Sequence, residues 1–200
     1  MDESTITAYD KASGSYAQDW RDQPPPDDMY ALLKKFFTPG PTIDVGCGSG
    51  RDARWLNLNG FPARGVDASE GLLLEARRSF PSIPFDHGAL PELSSVARRS
   101  FQNVLCETVL MHLDPSEIVP ATQTLIDLLV PRGVLYISWR VTDGASVRDG
   151  NGRLYTSFNK DLIIDTLSGQ ARILLDEESV SASSGKIVNR IIARRNASPV

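Results

Sequence analysis

Thr42-Ile43-Asp44-Val45-Gly46-Cys47-Gly48-Ser49-Gly50-Arg51 decides how this chain is read. A short apolar run carrying one acid passes into three glycines at alternate positions and then into a helical stretch, Arg51–Leu58. Strand, tight turn and helix are the natural reading. Glycine lets the backbone bend sharply and lets a ligand lie against it with no Cβ in the way. A dinucleotide fingerprint needs a small residue at the third conserved place of G-x-G-x-x-G/A, so that helix and strand pack closely. Counted from Gly46, that place is Arg51, large and charged. A P-loop would need Gly-Lys-Ser or Gly-Lys-Thr, and neither follows.

The next apolar run ends in Gly65-Val66-Asp67-Ala68-Ser69, which delivers an acid at the carboxyl end of a second strand. An acid there accepts hydrogen bonds from the hydroxyls of a ribose. A nucleoside ligand without a pyrophosphate satisfies both signals.

On these residues the chain resembles the class I S-adenosylmethionine-dependent methyltransferases, from about Tyr9 to Arg194. Asp44-Val45-Gly46-Cys47-Gly48-Ser49-Gly50 matches that family's main cofactor motif, and Asp67, followed by Ala68 and Ser69, its ribose-binding acid. Phe85-Asp86-His87-Gly88-Ala89-Leu90-Pro91 is similar to the segment that edges the adenine. Phe101-Gln102-Asn103-Val104-Leu105-Cys106-Glu107 is similar to the fourth strand, and Pro131-Arg132-Gly133-Val134-Leu135 to the lead-in to the fifth. The resemblance implies an α/β, Rossmann-like, doubly wound seven-stranded sheet of order 3-2-1-4-5-7-6, with strand 7 antiparallel. It also implies S-adenosyl-L-methionine as cofactor, held by Asp44, Gly46, Cys47, Gly48, Gly50, Asp67, Ala68, Ser69, Gly88, Ala89, Leu90, Cys106 and Glu107. Arg51 is a further candidate for ligand contact. In that family the N-terminal segment folds over the cofactor, which makes Tyr16 a candidate for the pocket wall. Two departures stand out. Where family members often carry an Asp that binds the adenine amino group, this chain reads Gly88-Ala89-Leu90, which offers backbone groups and apolar contact instead. The fourth strand ends in Cys106-Glu107-Thr108-Val109, not in the Asn/Asp-Pro-Pro-Tyr pattern of enzymes that methylate exocyclic amines of nucleic-acid bases.

Outward from the glycine turn, short apolar runs alternate with helical segments, the pattern of a parallel sheet covered on both faces. The runs predict strands at 42–45, 63–66, 83–85, 103–106 and 134–138, and helices at 51–58, 70–79 and 115–129, with a short helix at 91–96. Asp114 and Glu117 flank Pro115 in a capping-box pattern that fixes the start of the third of these helices. A polar, glycine-rich stretch, 141–156, reads as the longest irregular segment; a helix through Phe158, Leu162, Ile163 and Leu167 follows. Runs 171–175 and 186–193 are joined by a link too short for a crossover helix, so they pair as an antiparallel hairpin. Ahead of the sheet, residues 1–40 read as a helical lid over a domain of 41–195: one helix over Tyr9–Trp20, a break at Pro24-Pro25-Pro26, and a second helix from Asp27.

The 200 residues suffice for one cored domain, and 25 acids against 21 bases give a net charge of −4. That balance argues against a phosphate-backbone partner, since nucleic-acid binders concentrate basic residues. The start Met1-Asp2-Glu3-Ser4-Thr5 is polar, and no run reaches 18 apolar residues, which predicts a cytoplasmic protein with no membrane partner. Cys47 and Cys106 lack CxxC spacing, and no metal-ligand cluster is expected. A sulfonium methyl is already electrophilic, so positioning an acceptor is the main task; a base is required only where the acceptor loses a proton. His112, just past the fourth strand, is the candidate general base. A lid drawn only from 1–40 and 141–156 favours a small-molecule acceptor and a monomer or homodimer. The alternatives are a non-catalytic S-adenosylmethionine-binding sensor or scaffold and an NAD-dependent oxidoreductase, the latter weakened by Arg51.

Overall fold

A computed structural model describes residues 1–142 and 144–197. Asp2 opens the first helix, α1 (Glu3–Lys11), its carboxylate accepting from the Thr5 amide at 2.8 Å. The sequence predicts one helix over Tyr9–Trp20. The structure has two, α1 and α2 (Ser13–Asp22), with Ala12 out of helical geometry at φ −123°, ψ 23°. Ser13 and Gly14 are poor helix formers, and the chain bends ahead of them. After the three prolines comes α3 (Asp27–Phe36), with two acids in its first turn and two lysines in its last, each favourable to the helix dipole.

The glycine stretch forms β1 (Thr42–Val45), a turn and α4 (Arg51–Leu58), followed by β2 (Ala63–Asp67) and α5 (Glu70–Ser79), the latter capped by the Ser69 hydroxyl. Strand β3 lies at Phe85–His87, two residues beyond the expected 83–85. Pro84 has no N–H for the ladder; its carbonyl instead receives the Gly65 amide at 2.9 Å. The expected helix at 91–96 is a series of turns, interrupted by Leu93 at φ 40°. β4 (Phe101–Cys106) precedes the capping box around Asp114 and Glu117, a short 3₁₀ turn and α6 (Ile118–Leu128). Then β5 (Leu129–Arg140) begins at once, because Leu129 pairs with Phe101 before a register shift.

Part of the stretch read as irregular is a small hairpin, β6 (Val147–Arg148) and β7 (Leu154–Tyr155). Its turn is tied by Asp149, which accepts from the Asn151 and Arg153 amides at 3.0 Å. α7 (Asp161–Leu167), β8 (Ala171–Val180) and β9 (Ile187–Arg195) complete the chain.

The sheet order is β3-β2-β1-β4-β5-β9-β8. β9 is antiparallel to both neighbours and the other pairings are parallel. Renumbered, this is the 3-2-1-4-5-7-6 sheet with strand 7 reversed. Alternation along the central strands feeds two cores: Val104, Cys106, Leu135 and Ile137 pack toward α6 and α7, while Leu105, Val134 and Tyr136 pack toward α3 and α4. Burial on both faces explains why these strands read as continuous apolar runs. The chain order reverses between β1 and β4, and a crevice opens where strands part in this way. α1 and α2 cross that edge from α5 to the β6–β7 hairpin. Asp10 accepts from the Ser69 hydroxyl at 2.6 Å and the Gly71 amide at 2.9 Å, and the Thr5 hydroxyl accepts from the Leu154 amide at 2.9 Å. No described helix is long and apolar enough to cross a membrane.

Candidate functional site

The site is built first from backbone. Gly46 sits at φ 76° and Gly48 at φ 53°; a Cβ on Gly46 would fall 2.2 Å from Val109, and one on Gly48 would fall 2.8 Å from Trp20. Only glycine fits either place. Across the turn, the Asp67 carboxylate accepts from the Gly48 amide through Oδ2 and from the Ser69 amide through Oδ1, both at 2.8 Å. Burial raises its pKa above the usual carboxylate value, with those two amides acting in the opposite direction.

Two adjoining chambers open over the strand ends. The narrow one, about 100 Å³, is lined by Asp67, Ala68, Ser69, Gly88 and Leu90 with Tyr9 and His112. The wide one, about 470 Å³, is lined by Asp44, Cys47, Arg51, Arg140 and Tyr155 together with the 181–186 turn. Tyr9, Trp20, Gly46, Gly48, Glu107 and Thr108 border both. Thr108, at φ 54°, holds a left-handed conformation unusual for a residue with a Cβ. Its amide is secured by the Ser138 carbonyl at 3.1 Å and hydroxyl at 3.0 Å. Such backbone strain at a cleft is characteristic of functional sites.

Acids form the floor. Asp44 is raised well above a normal carboxylate by burial and by the negative charges of Asp52 and Asp67, and its Oδ2 has no hydrogen-bond partner. Glu107 is raised by burial, while its hydrogen bond from the Ser138 hydroxyl at 2.5 Å favours the ionised form. Arg51 offsets this floor only in part: its guanidinium grips Asp52 through two 2.9 Å contacts, and its charge acts against the rise at Asp44 without reversing it.

The opposite wall is made of side chains. The His112 Nδ1 lies 2.6 Å from the Leu154 carbonyl. A carbonyl only accepts, so Nδ1 carries the proton, and Nε2 receives the Tyr9 hydroxyl at 3.1 Å. Burial pushes the imidazole pKa down to about 4. The expected general base is therefore a neutral ring, weak as a base and engaged at both nitrogens; its geometry orients Tyr9.

Of the sequence-predicted residues, Asp44, Gly46, Cys47, Gly48, Arg51, Asp67, Ala68, Ser69, Gly88, Leu90, Glu107 and His112 border one chamber or both. Four do not. Gly50 turns toward Phe85, where a Cβ would come within 2.7 Å. The Ala89 carbonyl is taken by the Leu93 amide. Cys106 is fully buried on the α6 side of the sheet, since alternation along β4 directs it away from the cleft. Tyr16 stands behind the wall, stacked on Trp20 and receiving a hydrogen bond from Asn151 at 3.1 Å. Tyr9, Thr108, Arg140, Arg153, Tyr155 and the 181–186 turn were missed. The glycine-rich 141–156 stretch marked one source of the wall, but nothing in spacing indicated which side chains would turn inward.

Residues 43–133 match the family model for a methyltransferase domain. Over 101 residues the chain is 33% identical to ubiquinone biosynthesis O-methyltransferase of Chromobacterium violaceum, covering 48% of this chain and 42% of that protein. Over 102 residues it is 28% identical to trans-aconitate 2-methyltransferase of Rhizobium meliloti, covering 49% and 37%. The matched segment thus spans less than half the length of these curated relatives. In three dimensions it is similar to Burkholderia thailandensis 1,6-didemethyltoxoflavin-N1-methyltransferase, solved with 1,6-didemethyltoxoflavin and S-adenosylhomocysteine. The TM-score is 0.75 at 20% identity, covering 96% of this chain and 88% of that one. Residues 43–133 are thus similar to a methyltransferase domain, and the fold over nearly the whole chain is that of the solved methyltransferase.

Proposed function

We propose that this chain is an enzyme that transfers a methyl group from S-adenosylmethionine to a small-molecule acceptor. On this reading the narrow chamber takes the nucleoside, with its ribose on Asp67 and its base along Gly88 to Leu90, and the wide chamber takes the acceptor. The observation that carries it is the acidic floor: an unpartnered Asp44 oxygen, with Glu107 beside it, favours a ligand bearing positive charge next to its nucleoside. A cofactor with a sulfonium and an ammonium group fits that floor. The anionic pyrophosphate of a dinucleotide is repelled by it.

When bound, S-adenosylmethionine supplies a methyl group already activated as an electrophile. The protein's own share is alignment and exclusion of water. Tyr9 borders both chambers, and its hydroxyl, held by His112, faces the place where they meet. We assign Tyr9 the contact with the acceptor and His112 the positioning of Tyr9. α1 and α2 act as the lid over a domain of 41–195, since a narrow chamber of about 100 Å³ must widen to the several hundred Å³ of an ordinary ligand site.

Calorimetric titration tests the reading. S-adenosylhomocysteine should bind and NAD should not. Asp67→Ala should weaken S-adenosylhomocysteine by roughly 30- to 1,000-fold, about 2–4 kcal/mol for paired charge-assisted hydrogen bonds. Tight NAD binding, or an Asp67→Ala protein with parental affinity, would overturn the assignment. A screen of metabolites with labelled cofactor then separates an enzyme from a sensor.

A further inference from the structure

We propose that the wide chamber selects an acceptor bearing an anionic group, a carboxylate or a phosphate, held by Arg140 and Lys186 at the rim opposite the acidic floor. The proposal rests on the reading above that the narrow chamber takes the nucleoside.

Both signs of charge line the wide chamber: Asp44, Asp52 and Glu107 with Arg51, Arg140, Arg153 and Lys186. Asp44 is buried, whereas Lys186 is exposed at the mouth. Two of the four cations are already engaged: Arg51 pairs with Asp52 at 2.9 Å and Arg153 with Asp149 at 2.7 Å. Arg140 and Lys186 have no acidic partner among the described residues.

Strand register brings these two together. Arg140 pairs with Val188 in the antiparallel β5–β9 ladder, and the Val141 amide donates to the Ile187 carbonyl at 3.0 Å. Lys186 directly precedes β9, two residues before Val188, and Arg140, Val188 and Lys186 all line the wide chamber. Two like charges sharing one chamber repel, and an anion bridging them relieves the repulsion.

The rim has further features of an anion site. The Arg140 guanidinium lies over the Tyr155 ring, 5.1 Å from its centroid. That stacking holds the planar fork in an orientation suited to two parallel hydrogen bonds with a carboxylate or phosphate. Ser181, Ser183 and Ser184 add hydroxyls from the turn ahead of Lys186. An anion on the rim, with the reacting atom toward Tyr9, spans the chamber from its basic to its acidic end.

The rival occupant is the cofactor's own carboxylate, and the experiment separates the two. Protein saturated with S-adenosylhomocysteine is titrated with benzoate, phenyl phosphate and the neutral, similarly shaped benzamide. At least one anion should bind ten or more times more tightly than benzamide, and the stronger of the two names the acceptor's anionic group. Arg140→Gln combined with Lys186→Gln should weaken that anion roughly 10- to 100-fold, with S-adenosylhomocysteine affinity within about 2-fold of the parent. Arg140→Lys, which keeps the charge, should retain part of the anion binding. Benzamide binding as tightly as the anions, or anion binding indifferent to the double variant, overturns the proposal. So does a loss that appears in S-adenosylhomocysteine affinity, since the cations would then serve the cofactor. If S-adenosylhomocysteine fails to bind the parent, the nucleoside reading has failed separately, and the same titrations on the free protein judge the rim by the same criteria.

Discussion

The two walls of the cleft are made in opposite ways. The sheet wall is backbone: the turn at 46–50, the amides of Gly48 and Ser69 on Asp67, and the left-handed Thr108. Its contacts join residues close in sequence or on adjacent strands. The wall at α1 and α2, the proposed lid, is side chains joined across the chain: the Tyr9 hydroxyl reaches His112 at 3.1 Å, Asp2 meets Arg148 at 2.7 Å, and Leu154 reaches Thr5 at 2.9 Å. A backbone wall recognises one nucleoside whatever side chains surround it. A wall of side chains on small, surface-docked elements can be refitted to a new acceptor with the sheet untouched.

The comparison breaks most readily at Gly46. Gly46 and Gly60 share a left-handed backbone, at φ 76° and 86°, but a Cβ on Gly46 meets Val109 at 2.2 Å, whereas one on Gly60 meets nothing within 4 Å. Gly60→Ala should cost only the conformational strain, about 1–2 kcal/mol. Gly46→Ala adds overpacking of about 1–3 kcal/mol, for a total of about 2–5 kcal/mol in urea unfolding. Equal losses at the two sites would mean that the turn yields, and that the sheet wall is not the rigid one.

His112 tests the other wall through pH. Its folded pKa is about 4, below the unfolded value of about 6.5. Between those values the unfolded chain takes up a proton that the folded chain refuses. Stability should therefore fall as pH drops from about 6.5 to about 4, by up to about 3 kcal/mol, and be fully present above 6.5. Unfolding free energies of the parent and His112→Gln, compared at pH 7 and 4.5, isolate this term, because the carboxylates titrate in both proteins. Parallel profiles would show that the imidazole is solvated in solution, with the lid wall open there.

How much of this was legible follows the same division. Gly46, Gly48 and Asp67 could be placed because strand, turn and acid occur at fixed local spacing, and the hairpin of β8 and β9 because its link is too short to cross the sheet. Tyr9 and Arg140 could not, because each enters the cleft through docking or register between distant segments. The sequence points to Tyr16, whereas the structure places Tyr9, on the helix before the break at Ala12, against both chambers. Cys106 escapes the reading for another reason: Val104, Leu105 and Cys106, the last three residues of β4, are all apolar and buried, so polarity there does not show which of them face the cleft.

The smallest expected effect concerns how α1 and α2, the proposed lid, are held. Asp10 is its anchor on α5, accepting from the Ser69 hydroxyl at 2.6 Å and the Gly71 amide at 2.9 Å. Both contacts lie near solvent, so Asp10→Ala should loosen the docked lid by about 1 kcal/mol and leave global stability almost unchanged. Local opening would then rise roughly 5-fold, read as faster amide exchange in residues 4–20 with α6 amides as the unaffected control. S-adenosylhomocysteine should slow exchange in the same residues, because a nucleoside seated against Tyr9 and Trp20 adds contacts that exist only when the lid is down. Unchanged exchange in Asp10→Ala would shift the anchoring to the Thr5 and Asp2 contacts with the β6–β7 hairpin. The lid would then hinge at the β6–β7 hairpin, and the wide chamber would open only after the narrow one.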